Sequence, residues 1–150
     1  MVFICGNGGL AAESEHFAAE LMGKFGGEVF IPCIALTTNS ALVTALANDY
    51  GYEDVFAHQI RAMGKPGDVL IAMTGSASRN VVKAIAEGNK KGMRTVCLCG
   101  PKSPDMGAEL TVKAQTVNEV AAVQESILAL LHVVALDAKK EVICEDPEPP

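Results

Sequence analysis

His16 and Glu20 are the first pair of residues in the sequence whose types and spacing could support chemistry. They lie four residues apart in a stretch with a helical pattern, so their side chains share one face of a helix. An imidazole and a carboxylate placed in this way can bind one metal ion or orient each other for proton transfer. A surface ion pair is the alternative for this helix taken alone, and both interpretations stay open here.

Gln124, Glu125 and His132 interrupt the apolar pattern of a long helix predicted over residues 118–141. Glu125 and His132 point within about 20° of each other on a helix, whereas Gln124 and His132 diverge by about 80°. Helical spacing alone therefore predicts Glu125 as the partner of His132. A core histidine that bonds to a backbone carbonyl is the alternative.

Three loops that follow predicted strands carry glycine and hydroxyl side chains: "CGNGGL", "TTNSAL" and "MTGSASRN". The third places Thr74, Ser76 and Ser78 just before a helix, where backbone N–H groups and the helix dipole could bind a phosphate. Capping of the helix by serine is the alternative. The "GNGG" loop lacks the spacing of a dinucleotide fingerprint and is weak evidence alone.

The elements that must position these loops alternate between strand and helix along the chain. Strands are predicted over residues 2–5, 32–36, 68–73, 94–99 and 110–113, and helices over residues 10–25, 40–48, 53–63, 78–91 and 118–141. Strands that are apolar throughout are typical of a parallel sheet covered on both faces. The pattern predicts a three-layer, doubly wound α/β fold with a five-stranded parallel sheet.

Composition limits the classes of function. The 150 residues carry a net charge of −6 and are 49% hydrophobic, so the chain lacks the basic surface of a nucleic-acid-binding protein. We expect one domain over residues 1–141 and an acidic, Pro-rich tail over 142–150. The longest apolar stretch is too short to span a bilayer, and no signal peptide is evident. The five cysteines are expected to be buried free thiols in a reducing compartment.

The order and spacing of six segments resemble the sugar isomerase (SIS) domain family, and within it the phosphoheptose isomerases. These segments are "CGNGG", "HFAAEL", "ANDYGYEDVF", "GDVLIAMTGSASRNVVKAI", "KGM" and "QESILALLH". Together they extend over nearly the whole chain. The resemblance implies a cytoplasmic homotetramer with active sites at subunit contacts, and no partner among nucleic acids or membranes. It also implies interconversion of sedoheptulose 7-phosphate and D-glycero-D-manno-heptose 7-phosphate, for heptose and lipopolysaccharide-type glycan synthesis.

The resemblance also implies roles for individual residues. Zinc would be bound by His16, Glu20, Gln124 and His132. This set replaces Glu125 with Gln124. Glu20 would act as the base and His132 as the acid of an enediol proton transfer. Substrate contacts would come from Asn7, Gly8, Gly9, Glu20, Asn48, Asp49, Thr74, Gly75, Ser76, Ser78 and Gln124.

Three departures from the family pattern stand against a simple transfer of function. Leu10 occupies a position where the family has serine, and Met73 replaces a hydroxyl in a phosphate loop that reads "MTGSAS" instead of Ser-Thr-Ser-Gly-x-Ser. The family also has a helical segment before the first strand that helps to build the tetramer. The competing hypothesis is a non-catalytic SIS protein that binds a sugar phosphate or a partner such as DnaA.

Overall fold

A five-stranded parallel sheet forms the centre of the computed structural model, which describes residues 1–117 and 119–145. The strands are β1 (Val2–Cys5), β2 (Cys33–Ala35), β3 (Val69–Thr74), β4 (Arg94–Cys99) and β5 (Leu110–Lys113). Their order across the sheet is β2-β1-β3-β4-β5, and every neighbouring pair is parallel. The predicted strands are all present, and the predicted doubly wound fold is confirmed.

Five helices cover the sheet. They are α1 (Gly9–Met22), α2 (Ser40–Tyr50), α3 (Val55–Met63), α4 (Arg79–Lys90) and α5 (Val120–Glu145), and a 3₁₀ turn (Tyr52–Asp54) precedes α3. The prediction ended α1 three residues too late. The helix ends at Met22 because the Gly23 N–H bonds back to the Ala19 carbonyl while Gly23 itself is extended.

The two faces of the sheet form separate cores, because successive side chains of a strand point to opposite faces. On β3, Leu70 and Ala72 face a core shared with α3 and α4, whereas Ile71 and Met73 face a core shared with α1 and α5. α1 and α5 therefore lie side by side on one face. This arrangement brings His16 and Glu20 of α1 next to His132 of α5.

α5 is longer than the sequence analysis predicted. It continues to Glu145, beyond the expected start of the tail, and residues 146–150 lie outside the described part of the chain. By length and composition alone, Val120–Val142 could cross a membrane, contrary to the expectation that the longest apolar stretch is too short. The face that carries Ile127 and Leu131 packs against the sheet, which is also typical of the core helix of a globular protein.

Four of the five cysteines are free and buried, as predicted. Burial raises the pKa of the Cys33 thiol to about 12, and burial together with the nearby Cys99 raises that of Cys97 to about 12. Burial also raises the pKa of Cys5. The side chain of Cys144 lies outside the described residues. The thiols of Cys5, Cys33 and Cys97 therefore remain protonated at neutral pH, which makes them poor nucleophiles and poor metal ligands.

Phe17 tests the packing of α1 against the sheet. We expect Phe17→Ala to lower the free energy of unfolding by about 3–5 kcal/mol, because it leaves a cavity in the core. Urea unfolding measures the loss. Phe30→Ala is the matched control, since Phe30 is 63% exposed and Phe17 only 1%. Equal losses for the two variants would contradict the assignment of Phe17 to the core.

Candidate functional site

A crevice opens where the chain leaves β1 and β3 in opposite directions. β1 leads to α1 on one face of the sheet and β3 to α4 on the other, and ligands of doubly wound folds bind at such a switch point. A cavity of about 260 Å³ lies there. Its lining comes from the two loops and from α5: Asn7, Gly8, Gly9, Leu10, Met73, Thr74, Gly75, Ser76, Ser78, Val120, Val123 and Gln124.

The "GNGG" loop brings the backbone close to α5. Gly8 has a φ of 61°, which favours glycine. A Cβ at Gly9 would overlap the amide of Gln124, so a side chain there would displace that amide. The loop therefore serves to seat Gln124 against the start of α1, at the wall of the cavity.

Asn7 holds the two loops of the crevice together. Its Nδ2 donates to Asn80 Oδ1 at 2.9 Å, and Asn80 Nδ2 donates back to Asn7 Oδ1 at 2.8 Å. The Tyr52 hydroxyl also donates to Asn7 Oδ1, at 3.0 Å. Sequence reasoning gave Asn7 a sugar contact and gave Asn80 and Tyr52 no role. The only signal in the sequence is that Asn80 lies two residues after the phosphate loop.

The loop at residues 74–78 is closed on itself by Thr74. Its Oγ1 accepts the backbone N–H of Ser76 at 3.3 Å and of Ser78 at 3.1 Å, and donates to Ser78 Oγ at 3.2 Å. Ser78 makes no side-chain cap to α4, contrary to the capping alternative. Within the described residues, the N–H groups of Arg79 and Asn80 have no acceptor. The turn therefore presents unpaired donors where a helix dipole favours an anion.

Asn48 and Asp49 are not part of this cavity. Asn48 Nδ2 donates to Asp49 Oδ1 at 2.9 Å, and both residues are exposed on α2. The structure of the single chain therefore does not bring these two predicted substrate contacts to the other site residues.

His16, Glu20 and His132 form a cluster between α1 and α5. Glu20 Oε1 lies 3.0 Å from His16 Nε2 and 3.1 Å from His132 Nε2, and the two imidazole nitrogens are 3.3 Å apart. Glu20 is 93% buried, with a relative exposure of 7%, and its Oε2 has no hydrogen-bond partner among the described residues.

This donor set fits a metal ion. One ligand atom from each of the three residues lies within 4.8 Å of the other two. Two imidazole nitrogens and a carboxylate are ligands that Zn²⁺ prefers, and an ion would compensate the unpartnered carboxylate oxygen. The pairing of His16 with Glu20 is thus part of a three-residue cluster and not a simple surface ion pair.

Glu125 lies outside this cluster, so the choice made from helical spacing was wrong. The buried residues of α5 follow a row of every fourth position, at Val123, Ile127 and Leu131, and this row drifts about 40° at each step. Glu125 and His132 point in nearly the same direction around the helix axis, but the core-facing side differs between their two turns. Glu125 therefore faces solvent. Gln124 lines the cavity instead, two turns before His132.

Glu13 is a half-buried carboxyl that sequence reasoning missed. Its Oε2 is buried and has no partner in the described part of the chain. Burial raises the pKa of Glu13 from its ordinary 4.5 to about 7, and the nearby His16 partly opposes that shift. A carboxyl that is more easily protonated when folded stabilises the fold at low pH, and the contribution is lost as the pH rises from about 4.5 through about 7.

We therefore expect Glu13→Gln to remove this pH dependence. In metal-free protein the variant should be more stable than the wild type at pH 8 and should lose that advantage below pH 4.5, as measured by urea unfolding. Glu15→Gln is the control, because Glu15 is exposed on the same helix. The same advantage at both pH values would show that packing, not titration, causes the effect.

Comparison with known proteins agrees with the fold. Residues 1–100 match the model of the SIS domain. The phosphoheptose isomerase of Shewanella sediminis is 37% identical over 97% of this chain and 77% of its own. That of Aromatoleum aromaticum is 43% identical over 87% of this chain and 69% of its own.

A solved structure extends the comparison to three dimensions. The phosphoheptose isomerase of Neisseria gonorrhoeae superposes with a TM-score of 0.81 at 34% identity, over 93% of this chain and 76% of that one. The chain therefore belongs to the SIS domain family, in the group of phosphoheptose isomerases.

Proposed function

We propose that this chain is a metal-dependent phosphoheptose isomerase that interconverts sedoheptulose 7-phosphate and D-glycero-D-manno-heptose 7-phosphate. The observation that carries the proposal is the buried Glu20 carboxylate, shared between His16 and His132 beside a crevice with unpaired N–H donors. Aldose–ketose isomerisation moves a proton between C1 and C2, so it needs a base, an acid and charge stabilisation at oxygen.

His16, Glu20 and His132 would hold one Zn²⁺, with Gln124 as the fourth ligand. The first three are already together, and Gln124 lies on the same helix as His132. When bound, the ion would polarise the substrate carbonyl as a Lewis acid.

The two oxygens of Glu20 are in different environments. Oε1 faces both imidazoles, and Oε2 is buried with no partner. In our proposal the Glu20 carboxylate accepts the proton that leaves C2 and returns it to C1, or the reverse. His132, whose side chain is 37% exposed, exchanges a proton with the substrate oxygen. One carboxylate can thus both hold the cluster and carry the proton.

The phosphate would bind at the 74–78 loop, at the far end of the crevice. The hydroxyls of Ser76 and Ser78 and the N–H groups that follow them supply donors without a basic side chain, and Thr74 holds the loop in shape. A seven-carbon sugar phosphate has its phosphate and its reacting carbons at opposite ends, which suits a phosphate site separate from the cluster of His16, Glu20 and His132.

We infer that the protein forms a homo-oligomer in the cytoplasm, a tetramer as in the family pattern. A neighbouring subunit would then complete each site. Exposed apolar side chains on α5 support it: Val133 is 53% exposed and Val142 41%. Asn48 and Asp49 are exposed on α2, where a neighbouring subunit's crevice could receive them. This would explain why the single chain leaves both outside the cavity.

A non-catalytic protein that binds sugar phosphate or a partner such as DnaA is the second candidate. The apolar wall at Leu10 and Met73 favours it, because these side chains offer no hydrogen bond to a sugar hydroxyl. The retained cluster of His16, Glu20 and His132 favours the enzyme.

Turnover of sedoheptulose 7-phosphate by zinc-loaded protein is the direct test. We expect Glu20→Gln and His132→Ala to lower kcat about 10²- to 10⁴-fold, because each removes a group that transfers a proton. Detection of the aldose product measures the rate. Glu15→Gln and His58→Ala are the controls, since both residues lie outside the cluster. Absence of turnover in wild-type protein that binds the sugar phosphate would favour the non-catalytic candidate.

Leu10→Ser tests the apolar wall of the cavity. We expect it to bind sedoheptulose 7-phosphate about fivefold more tightly, the equivalent of one added hydrogen bond, as measured by calorimetry. Leu10 is only 6% exposed, so the variant should also lose stability. Leu10→Ala removes the same packing without adding a hydroxyl and is the matched control. Equal affinities of the two variants would show that the wall is shaped for another ligand.

A further inference from the structure

Lys139 is a buried cation that the proposed mechanism does not use. Its side chain lies on α5 with a relative exposure of 1%. Its Nζ donates to the carbonyl oxygens of Gly23 at 2.7 Å and Phe25 at 2.8 Å, and no carboxylate among the described residues pairs with it. A buried ammonium is costly unless its hydrogen bonds are satisfied, so this arrangement specifies where the backbone after α1 must lie. We name residues 23–27, which follow α1, the α1 exit loop.

The exit loop packs against α5 at two further points. A Cβ at Gly26, whose φ is 68°, would come within 2.6 Å of Leu136 Cδ2, so the backbone there lies directly on α5. The ring of Phe25 lies 5.8 Å from the ring of His132, with the planes tilted by 43°. His132, Leu136 and Lys139 are spaced by four and three residues, which places them on one face of the helix.

The His132 ring is thus held from two sides. Glu20 and His16, both on α1, contact its Nε2, and Phe25 packs beside the ring. Phe25 is 37% exposed, so its ring is only partly held by packing, and the bond from Lys139 to its carbonyl helps to fix its backbone. Loss of the Lys139 ammonium would free the exit loop and, with it, one of the two supports of the ring.

We propose that Lys139 is a positioning residue for His132, acting through Phe25 and the exit loop. It anchors the C-terminal end of α1 to α5, and so keeps the imidazole of α5 in register with His16 and Glu20. The consequence for metal affinity rests on the function proposed above. The consequence for the orientation of the ring does not.

Lys139→Met is the primary variant, because methionine fills similar space without a donor. Lys140→Met is its matched control, since Lys140 is exposed and pairs only with Asp137. Residues that orient metal-binding side chains typically contribute about 10- to 100-fold to affinity. We expect Lys139→Met to weaken Zn²⁺ binding at least tenfold in a chelator competition and to alter the visible absorption of the Co²⁺-loaded protein. Lys140→Met should change neither.

Imidazole NMR shifts of the metal-free protein test the positioning directly. The sequence has 3 histidines, and His58 stacks on Tyr50 away from the cluster, so it serves as an internal control. We expect Lys139→Met to shift the His132 ring protons, which feel the Phe25 ring, and to leave those of His58 unchanged. If the wild type binds no Zn²⁺, the metal assignment fails, and this measurement still decides the role of Lys139.

Phe25→Leu makes the test independent of the folding of Lys139→Met. It keeps the ammonium and its two hydrogen bonds but removes the ring beside His132. We expect the same change in His132 shifts and a similar loss of Zn²⁺ affinity, with thermal unfolding of the metal-free variant close to that of the wild type. Unchanged His132 shifts in folded Lys139→Met would overturn the proposal, as would unchanged nuclear Overhauser effects between the His16 and His132 rings in Phe25→Leu if the first variant does not fold.

Discussion

The shared carboxylate of Glu20 sets the main constraint on the structure. Its Oε1 lies within hydrogen-bond distance of imidazoles on two helices, and the two histidines are 116 residues apart in the chain. α1 and α5 must therefore lie together on one face of the sheet with little freedom to slide. The apolar core beneath them supplies this rigidity, because close-packed side chains resist displacement. The crevice above the strands is then formed where α1 begins.

The fold could be predicted because its signals are local and repeated. Apolar strands bounded by Gly, Pro or Asp gave all five strands, within about one residue at most ends. The exit from α1 was placed too late because Phe25 continues the apolar pattern, although glycines at 23, 26 and 27 end the helix. The end of α5 was predicted too early, at residue 141, because the charged residues there resemble a helix end. The helix in fact continues to Glu145.

The site was predicted less completely, because its contacts join distant parts of the chain. The four-residue spacing of His16 and Glu20 predicts that they share a helix face. Nothing in the local sequence indicates that Asn7 forms hydrogen bonds with Asn80, or that a buried oxygen of Glu13 lacks a partner among the described residues. The choice between Gln124 and Glu125 depended on which side of α5 meets α1. That side is determined by the way the row of buried residues on α5 turns relative to the sheet along the helix axis. A helical wheel projects all residues onto one plane and so omits this change along the axis.

The position of the cluster in the chain has a consequence for cooperativity. His16 and Glu20 lie near one end and His132 near the other, so an ion held by all three would close a loop of more than a hundred residues. A cross-link of that length removes much of the freedom of the unfolded chain, as a long-range disulfide does. The site would then link the two ends of the fold, and separation of α5 from the sheet would take His132 away from the ion and favour its release.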